Sequence, residues 1–215
     1  MTRPDTPDAI DARLADFRDR FTALERAVGA VVVGVDDLVR DCLVAIVAGG
    51  HVLLEGVPGL GKTSLVKAIG AAVELDAGRI QCTPDLMPAD IIGTHIVNDD
   101  EHGRRCFQFE RGPVFHHILL VDEINRATPK TQSALLEVMQ EHRVSVGRDV
   151  LDLPRPFFVM ATQNPIEQEG TYPLPEAQLD RFMVKLEVAF PPLDTLMAIA
   201  RTTTGAAPPR VVPAW

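Results

Sequence analysis

A glycine-rich stretch, Gly56-Val57-Pro58-Gly59-Leu60-Gly61-Lys62-Thr63, matches the pattern G-x-x-x-x-G-K-[ST] and follows the apolar run Val52-Leu53-Leu54. An apolar strand, a glycine-rich loop and then a helix is the context in which this pattern forms a phosphate-binding loop. The glycines let backbone N–H groups turn towards phosphate oxygens, and the helix adds the positive end of its dipole. We therefore predict a nucleoside triphosphate site in which Lys62 neutralises the β- and γ-phosphates and the Thr63 hydroxyl ligates Mg²⁺.

A second apolar run, Ile118-Leu119-Leu120-Val121, ends in two carboxylates, Asp122 and Glu123. A buried parallel strand whose carboxyl end faces a ligand has this pattern. We predict that Asp122 holds Mg²⁺ through water and that Glu123 polarises the attacking water, because phosphoryl transfer requires mainly positioning and charge neutralisation. The alternative is a pair that only ends a strand and caps the next helix, and the phosphate-binding loop upstream disfavours it.

A third polar segment, Ala161-Thr162-Gln163-Asn164-Pro165, follows the apolar run Phe157-Phe158-Val159-Met160. An amide at the end of that strand could orient the lytic water or contact the γ-phosphate, and Asn164 is our candidate. Taken alone, Asn-Pro is an ordinary turn.

Together these motifs resemble those of the MoxR-type ATPases of the AAA+ superfamily, over roughly residues 28–210. The resemblance implies that Asp122 and Glu123 form the Walker B motif and that Asn164 is the sensor 1 residue. It also implies that Arg181 is an arginine finger, a residue that needs a neighbouring subunit to act on. The matching strings are Glu55–Thr63, Thr83–Asp90, Asp122–Ala127, Thr162–Tyr172 and Leu174–Phe182.

The order of predicted elements indicates an α/β fold of the P-loop NTPase (AAA+) class. Helices near 62–73 and 129–141 and strands near 79–82 and 182–190 alternate with the three apolar runs. Apolar strands alternating with helices predict a three-layer core with a parallel five-stranded sheet covered on both faces. We expect an N-terminal amphipathic helix at 1–28, the ATPase core at 29–200 and a Pro-, Thr- and Ala-rich tail at 201–215. The family's helical lid would begin at that tail, so the lid is expected to be absent.

The N-terminal segment carries one apolar stripe at helical spacing. Such a stripe docks onto its own domain or a neighbouring subunit more often than it seeds a coiled coil. The residues of the stripe are Ile10, Leu14, Phe17, Phe21, Leu24 and Val28.

Two further segments, 94–109 and 143–153, combine strand-like alternation with turn residues and predict β-hairpins; in the first, Asn98-Asp99-Asp100 and His102-Gly103 are the expected turn. On the sequence alone, the simplest interpretation is that both are solvent-exposed surface hairpins without a functional role. The resemblance implies instead that they line the pore of a ring or face a client protein.

Gly34 ends the linker Val31-Val32-Val33-Gly34, which in the resembling family lies near the adenine. We therefore expect Gly34 to help bind the nucleotide. Val35 stands where a polar Gln is usual in that family, so base selectivity stays open.

Composition narrows the classes of function. The net charge of −9 disfavours a dedicated nucleic-acid binder. The three cysteines lack metal-ligand or C-x-x-C spacing, and no other metal than Mg²⁺ is expected. The sequence shows neither a secretory signal nor a membrane span, so we expect a cytoplasmic protein.

The resemblance implies an ATP-binding, ATP-hydrolysing motor that assembles into a ring, with a hexamer as the expected size, and remodels or matures a client protein. ATP and Mg²⁺ are the implied cofactors, and a protein with a von Willebrand factor A domain is the implied partner. The alternative is a nucleotide-dependent binding module or split subunit with little turnover because the lid is missing. A metabolic P-loop kinase is a third reading, which Asn164 and Arg181 disfavour.

Overall fold

The computed structural model describes residues 6–32, 34–56, 61–99, 105–147, 149–165, 170–188, 193, 196–197 and 211. The helices are α1 (Pro7–Gly29), α2 (Asp36–Val47), α3 (Lys62–Ala72), α4 (Pro88–Ile92), α5 (Pro129–Glu141) and α6 (Glu176–Leu179). The strands are β1 (Val52–Gly56), β2 (Ala77–Gln81), β3 (Gly93–Asp99), β4 (Arg105–Arg111), β5 (Ile118–Asp122), β6 (Arg143–Val146), β7 (Asp149–Asp152), β8 (Phe158–Gln163) and β9 (Val184–Val188). Short 3₁₀ turns cover Pro113–Phe115 and Ile124–Arg126.

The centre of the molecule is a five-stranded sheet in the order β2-β5-β8-β1-β9. All four neighbouring pairs run parallel. The inner strands are continuous apolar runs because both faces of the sheet are covered. This arrangement confirms the predicted α/β class and the number of strands.

Successive side chains of the inner strands point to opposite faces of the sheet and pack into two separate hydrophobic cores. In β5, Leu119 and Val121 pack on the face covered by α4 and α5. Ile118 and Leu120 pack on the opposite face, against α1, α2 and α3. The two cores make the three layers and fix the carboxyl ends of β1, β5 and β8 at one edge.

Several predicted boundaries shift by a few residues. Strand β2 begins at Ala77, because that residue already pairs with Ile118 of β5. Strand β9 covers Val184–Val188 and not 182–190 within the described part, since the Phe182 N–H donates to the Leu179 carbonyl in a turn. Helix α3 ends at Ala72.

Both predicted hairpins are present. Strand β3 pairs antiparallel with β4, and β6 pairs antiparallel with β7. The predicted turn residues Asn98 and Asp99 belong to β3 instead, because they pair with Cys106 and Arg105. The rest of that predicted turn lies outside the described residues.

The apolar stripe of α1 is buried only near the end of the helix. Leu24 and Val28 lie in the core, whereas Ile10, Leu14 and Phe17 are exposed. Helical spacing identifies the apolar face of a helix but not how far its neighbour extends. None of the helices in the described ranges is long and apolar enough to cross a membrane. The predicted tail at 201–215 falls outside those ranges apart from Val211.

His51, which precedes β1, is a buried neutral imidazole. Its Nδ1 accepts a hydrogen bond from the Val159 N–H at 3.1 Å, and its Nε2 lies 3.3 Å from the Met139 carbonyl oxygen. Burial is the main cause that lowers the pKa of His51, the Met139 hydrogen bond opposes this effect, and His142 lowers the pKa further.

We expect the free energy of unfolding to fall as the pH drops below about 6.5, because the unfolded chain then binds a proton that native His51 resists. The loss should not exceed about 1.4 kcal/mol per pH unit for this one group. Urea unfolding of the wild type and of His51→Gln between pH 7 and 5 measures it. An equally steep pH dependence in His51→Gln would show that another group is responsible.

Candidate phosphate-binding site

Four strands of the sheet, β1, β2, β5 and β8, end at one cleft, as expected for ligand binding at the carboxyl ends of parallel strands. The cleft brings together most of the predicted residues. Its lining consists of Gly56, Gly61, Lys62, Thr63, Arg79, Gln81, Asp122, Glu123, Thr162, Gln163 and Asn164. The predicted residues Val57, Pro58, Gly59 and Leu60 lie outside the described residues.

At both ends of the glycine-rich loop, at Gly56 and at Gly61, the structure requires glycine. A Cβ on Gly56 would meet the Val188 carbonyl oxygen of β9 at 2.6 Å. Gly61 has a φ of +75°, in the left-handed region that glycine adopts at little cost. Helix α3 starts directly after it, so its free N–H groups begin at Lys62 and Thr63.

Lys62 is half-buried, and its Nζ donates to the Gly56 carbonyl oxygen at 3.1 Å. Burial lowers the pKa of this ammonium group, while the negative charges of Asp122 and Glu123 oppose that shift. The side chain therefore places a partly desolvated positive charge in the cleft. Such a charge interacts more strongly with phosphate than one in bulk water.

Asp122 is held at both carboxylate oxygens. Arg79 donates from Nε to Oδ2 at 2.8 Å, and the Thr162 hydroxyl lies 3.3 Å from Oδ1. The Asp122 side chain is 13% exposed, whereas that of Arg79 is 52% exposed. The carboxylate is thus buried and fixed, and its more exposed partner is free to exchange with solvent or ligand.

Glu123 has an unusual backbone for a side chain of its size. Its φ of 57° and ψ of 51° lie in the left-handed region, which is costly for residues other than glycine. Oε2 accepts hydrogen bonds from Gln81 Nε2 at 3.1 Å and from Arg126 Nη1 at 3.0 Å. The backbone N–H donates to the Thr162 hydroxyl at 2.9 Å.

Asn164 follows β8 at the same edge of the sheet and is 7% exposed. Its carbonyl oxygen lies 3.4 Å from Asn125 Nδ2, in the turn after Glu123. Gln132 of α5 donates from Nε2 to the Ile124 carbonyl at 3.1 Å and to the Tyr172 carbonyl at 2.8 Å. These hydrogen bonds therefore connect the turn after Glu123 with the end of β8 and with the segment around Tyr172, which precedes Arg181 in the chain.

Arg181 and Gly34 lie apart from the other predicted residues. Arg181 is exposed, donates to the Ala177 carbonyl and lies 3.2 Å from Gln140 Oε1. Gly34 has a φ of 81° and precedes α2. Neither residue is among those that line the cleft.

The sequence patterns gave no role to two residues of the cleft, Arg79 and Gln81 of β2. Arg79 Nη2 donates to Gln81 Oε1 at 2.8 Å, which links Asp122 to Glu123 through neighbouring side chains. Polar residues two apart at the carboxyl end of a strand share one face. The two-residue spacing of Arg79 and Gln81 was therefore the sequence feature that could have identified them as neighbours in the cleft.

Comparison with known proteins places the chain in a family. The sequence model of the ATPase family associated with various cellular activities (AAA) matches residues 51–184. The chain belongs to this AAA family. It is a MoxR-type member, because it is similar to "Chaperone MoxR1" of Mycobacterium tuberculosis, with 56% identity over 78% of the chain and 45% of that protein. It is also similar to "Protein MoxR" of Methylorubrum extorquens, with 36% identity over 84% of the chain and 53% of that protein.

The fold of the AAA domain is also found among solved structures. A Cytophaga hutchinsonii protein, described as a candidate ATPase, superposes with a TM-score of 0.86 at 43% identity. The match covers 96% of this chain and 62% of that one. The chain spans about half the length of the curated MoxR relatives.

Proposed function

We propose that this AAA chain binds ATP with Mg²⁺ in the cleft and hydrolyses it. The observation that carries the proposal is the convergence of Lys62, Asp122, Glu123 and Asn164 on one edge of the sheet. A cation for the β- and γ-phosphates, a metal ligand, a base and a polar amide are the parts that phosphoryl transfer to water requires.

The donor atoms in the cleft fit Mg²⁺. Thr63 offers a hydroxyl and Asp122 a fixed carboxylate, and both line the same cleft. Mg²⁺ prefers such hard oxygen ligands and usually keeps several waters, so two protein ligands suffice. The metal would neutralise charge on the phosphates, and Glu123 would polarise the attacking water.

We further propose that the subunits assemble into a ring in which Arg181 reaches the nucleotide of a neighbouring subunit. Supporting this, Arg181 is exposed and contacts Gln140 and Ala177 rather than the cleft of its own chain. A guanidinium supplied by another subunit can stabilise charge on the transferred phosphoryl group. A hexamer is the size suggested by the family resemblance.

Mixing two inactive variants tests the shared site. Arg181→Ala and Glu123→Gln should each be nearly inactive alone, and a mixture should regain turnover because some interfaces pair an intact Glu123 with an intact Arg181. At equal amounts about a quarter of the interfaces of a closed ring are of this kind. Steady-state ATP hydrolysis at rising protein concentration provides the measurement.

Arg143→Ala is the matched control, because Arg143 is an exposed arginine paired with Glu141. It should hydrolyse ATP as the wild type does. Assembly seen by light scattering without any regained turnover would remove Arg181 from the site. Wild-type ATP binding without hydrolysis would favour the nucleotide-dependent binding module instead.

We propose that the β3–β4 hairpin contacts a client protein. Val97 and Phe107 face each other across the two strands and are 53% and 79% exposed. Apolar side chains at such exposure serve recognition more readily than folding. The involvement of a protein with a von Willebrand factor A domain rests on the MoxR-type resemblance alone.

A further inference from the structure

One buried hydroxyl contacts both acidic residues of the cleft. Thr162 lies in β8, beside β5, and is 2% exposed. Its Oγ1 is 2.9 Å from the backbone nitrogen of Glu123 and 3.3 Å from Oδ1 of Asp122.

The direction of both hydrogen bonds follows from the chemistry of the groups. A backbone N–H can only donate, so Oγ1 accepts from Glu123. An ionised carboxylate can only accept, so the hydroxyl proton points to Asp122. The Thr162 hydroxyl thereby accepts a hydrogen bond from the backbone of Glu123 and donates its single proton to the carboxylate of Asp122.

The hydrogen bond to Glu123 is important because Glu123 lies beyond the last residues that are paired between β5 and β8. The last residues paired between β5 and β8 are Val121 and Ala161. Glu123 follows that ladder and has a left-handed φ of 57°, and its N–H donates to a side chain, the Thr162 hydroxyl. Strained backbone of this sort persists only where surrounding groups hold it. The Thr162 hydroxyl is one such group.

We propose that Thr162 is a positioning residue that sets Asp122 and Glu123 at fixed orientations relative to each other. The inference rests on the proposed roles of these two carboxylates in Mg²⁺ binding and water activation. The hydroxyl orients the metal ligand through Oδ1 and the base through the backbone N–H. A small displacement of either group lowers the rate strongly, because the reaction depends on geometry.

The test compares three variants with the wild type. Thr162→Val keeps the shape and removes the hydroxyl, and it should lower kcat about ten- to a hundredfold, a larger factor than its effect on KM for ATP. Thr162→Ser keeps the hydroxyl and should stay within about threefold of the wild-type kcat. The matched control is Thr131→Val, since Thr131 is 1% exposed and its hydroxyl donates to the Leu86 carbonyl at 2.7 Å, away from the carboxylates.

A second readout does not depend on turnover. Calorimetry with and without Mg²⁺ gives the gain in ATP affinity that the metal provides, and Thr162→Val should reduce this gain at least about threefold relative to Thr131→Val. If Thr162→Val does not fold, Thr162→Ala and Thr162→Ser replace the pair, because they differ only in the hydroxyl.

The proposal is overturned if Thr162→Val matches Thr131→Val in both kcat and Mg²⁺ dependence, or if Thr162→Ser is as impaired as Thr162→Val. Failure of the proposed function gives a different result. In that case either Glu123→Gln hydrolyses ATP as the wild type does, or the wild type shows no turnover. The effect of Thr162→Val on the gain in ATP affinity from Mg²⁺ then tests the positioning role of Thr162 by itself.

Discussion

Lys62→Ala should abolish measurable ATP binding. The ammonium group lies in the cleft, and its partial burial means that water screens the charge less than it screens an exposed one. A hydrogen bond to a charged partner contributes about 1.5–3 kcal/mol, so losing the contacts to both the β- and the γ-phosphate corresponds to an affinity that is at least about a hundredfold weaker. Isothermal calorimetry with ATP measures the change.

Lys67→Ala is the matched control for this variant. Lys67 is an exposed lysine on the same helix, α3, and does not line the cleft. Its replacement removes the same charge from the protein, and ATP should bind as tightly as in the wild type. If Lys62→Ala also binds ATP like the wild type, the assignment of Lys62 to the phosphates is wrong.

Glu123→Gln should separate nucleotide binding from turnover. The amide has nearly the shape of the carboxylate but is not a base, so hydrolysis should fall by at least about a hundredfold. ATP binding should persist, because Lys62 and Asp122 are unchanged. The substitution also replaces the ion pair with Arg126 by a contact between a charged guanidinium and a neutral amide. Phosphate release under saturating ATP, together with calorimetric binding, measures both effects.

Glu137→Gln provides the control for that experiment. Glu137 is an exposed glutamate on α5, outside the cleft, and its replacement should leave the rate of hydrolysis unchanged. Wild-type turnover in Glu123→Gln would show that another group activates the water.

The elements that the sequence predicted well are encoded locally. The apolar runs Val52–Leu54, Ile118–Val121 and Phe157–Met160 identify the three inner strands because each is buried on both faces. The polar residues that follow each run then fall at or near the carboxyl edge of a parallel sheet. For this reason Asp122, Glu123 and Asn164 could be placed together before the strand order was known.

Other features depend on contacts between distant segments. Arg79 and Gln81 lie on an edge strand, and on the sequence alone they resemble ordinary solvent-facing residues. They reach Asp122 and Glu123 only because β2 lies beside β5 in the sheet. The position of Thr162 relative to Glu123 depends in turn on a left-handed backbone that no propensity predicts for glutamate.

The roles of Arg181 and Gly34 stay predictions for a related reason. An arginine finger acts in an interface between subunits, and a single chain shows only that Arg181 is exposed and outside its own cleft. Gly34 precedes α2 and is likewise outside the cleft lining. Their roles depend on a neighbouring subunit and on a bound base.

The left-handed backbone at Glu123 also has an evolutionary consequence. Such a conformation costs on the order of 1 kcal/mol or more for a residue with a side chain, so selection for hydrolysis and selection for folding oppose each other at this position. We expect related proteins that have lost the need for turnover to replace this glutamate by glycine or asparagine, which adopt the conformation cheaply. Their nucleotide cleft would otherwise be intact. A relative with glycine here that still hydrolyses ATP rapidly would contradict this expectation.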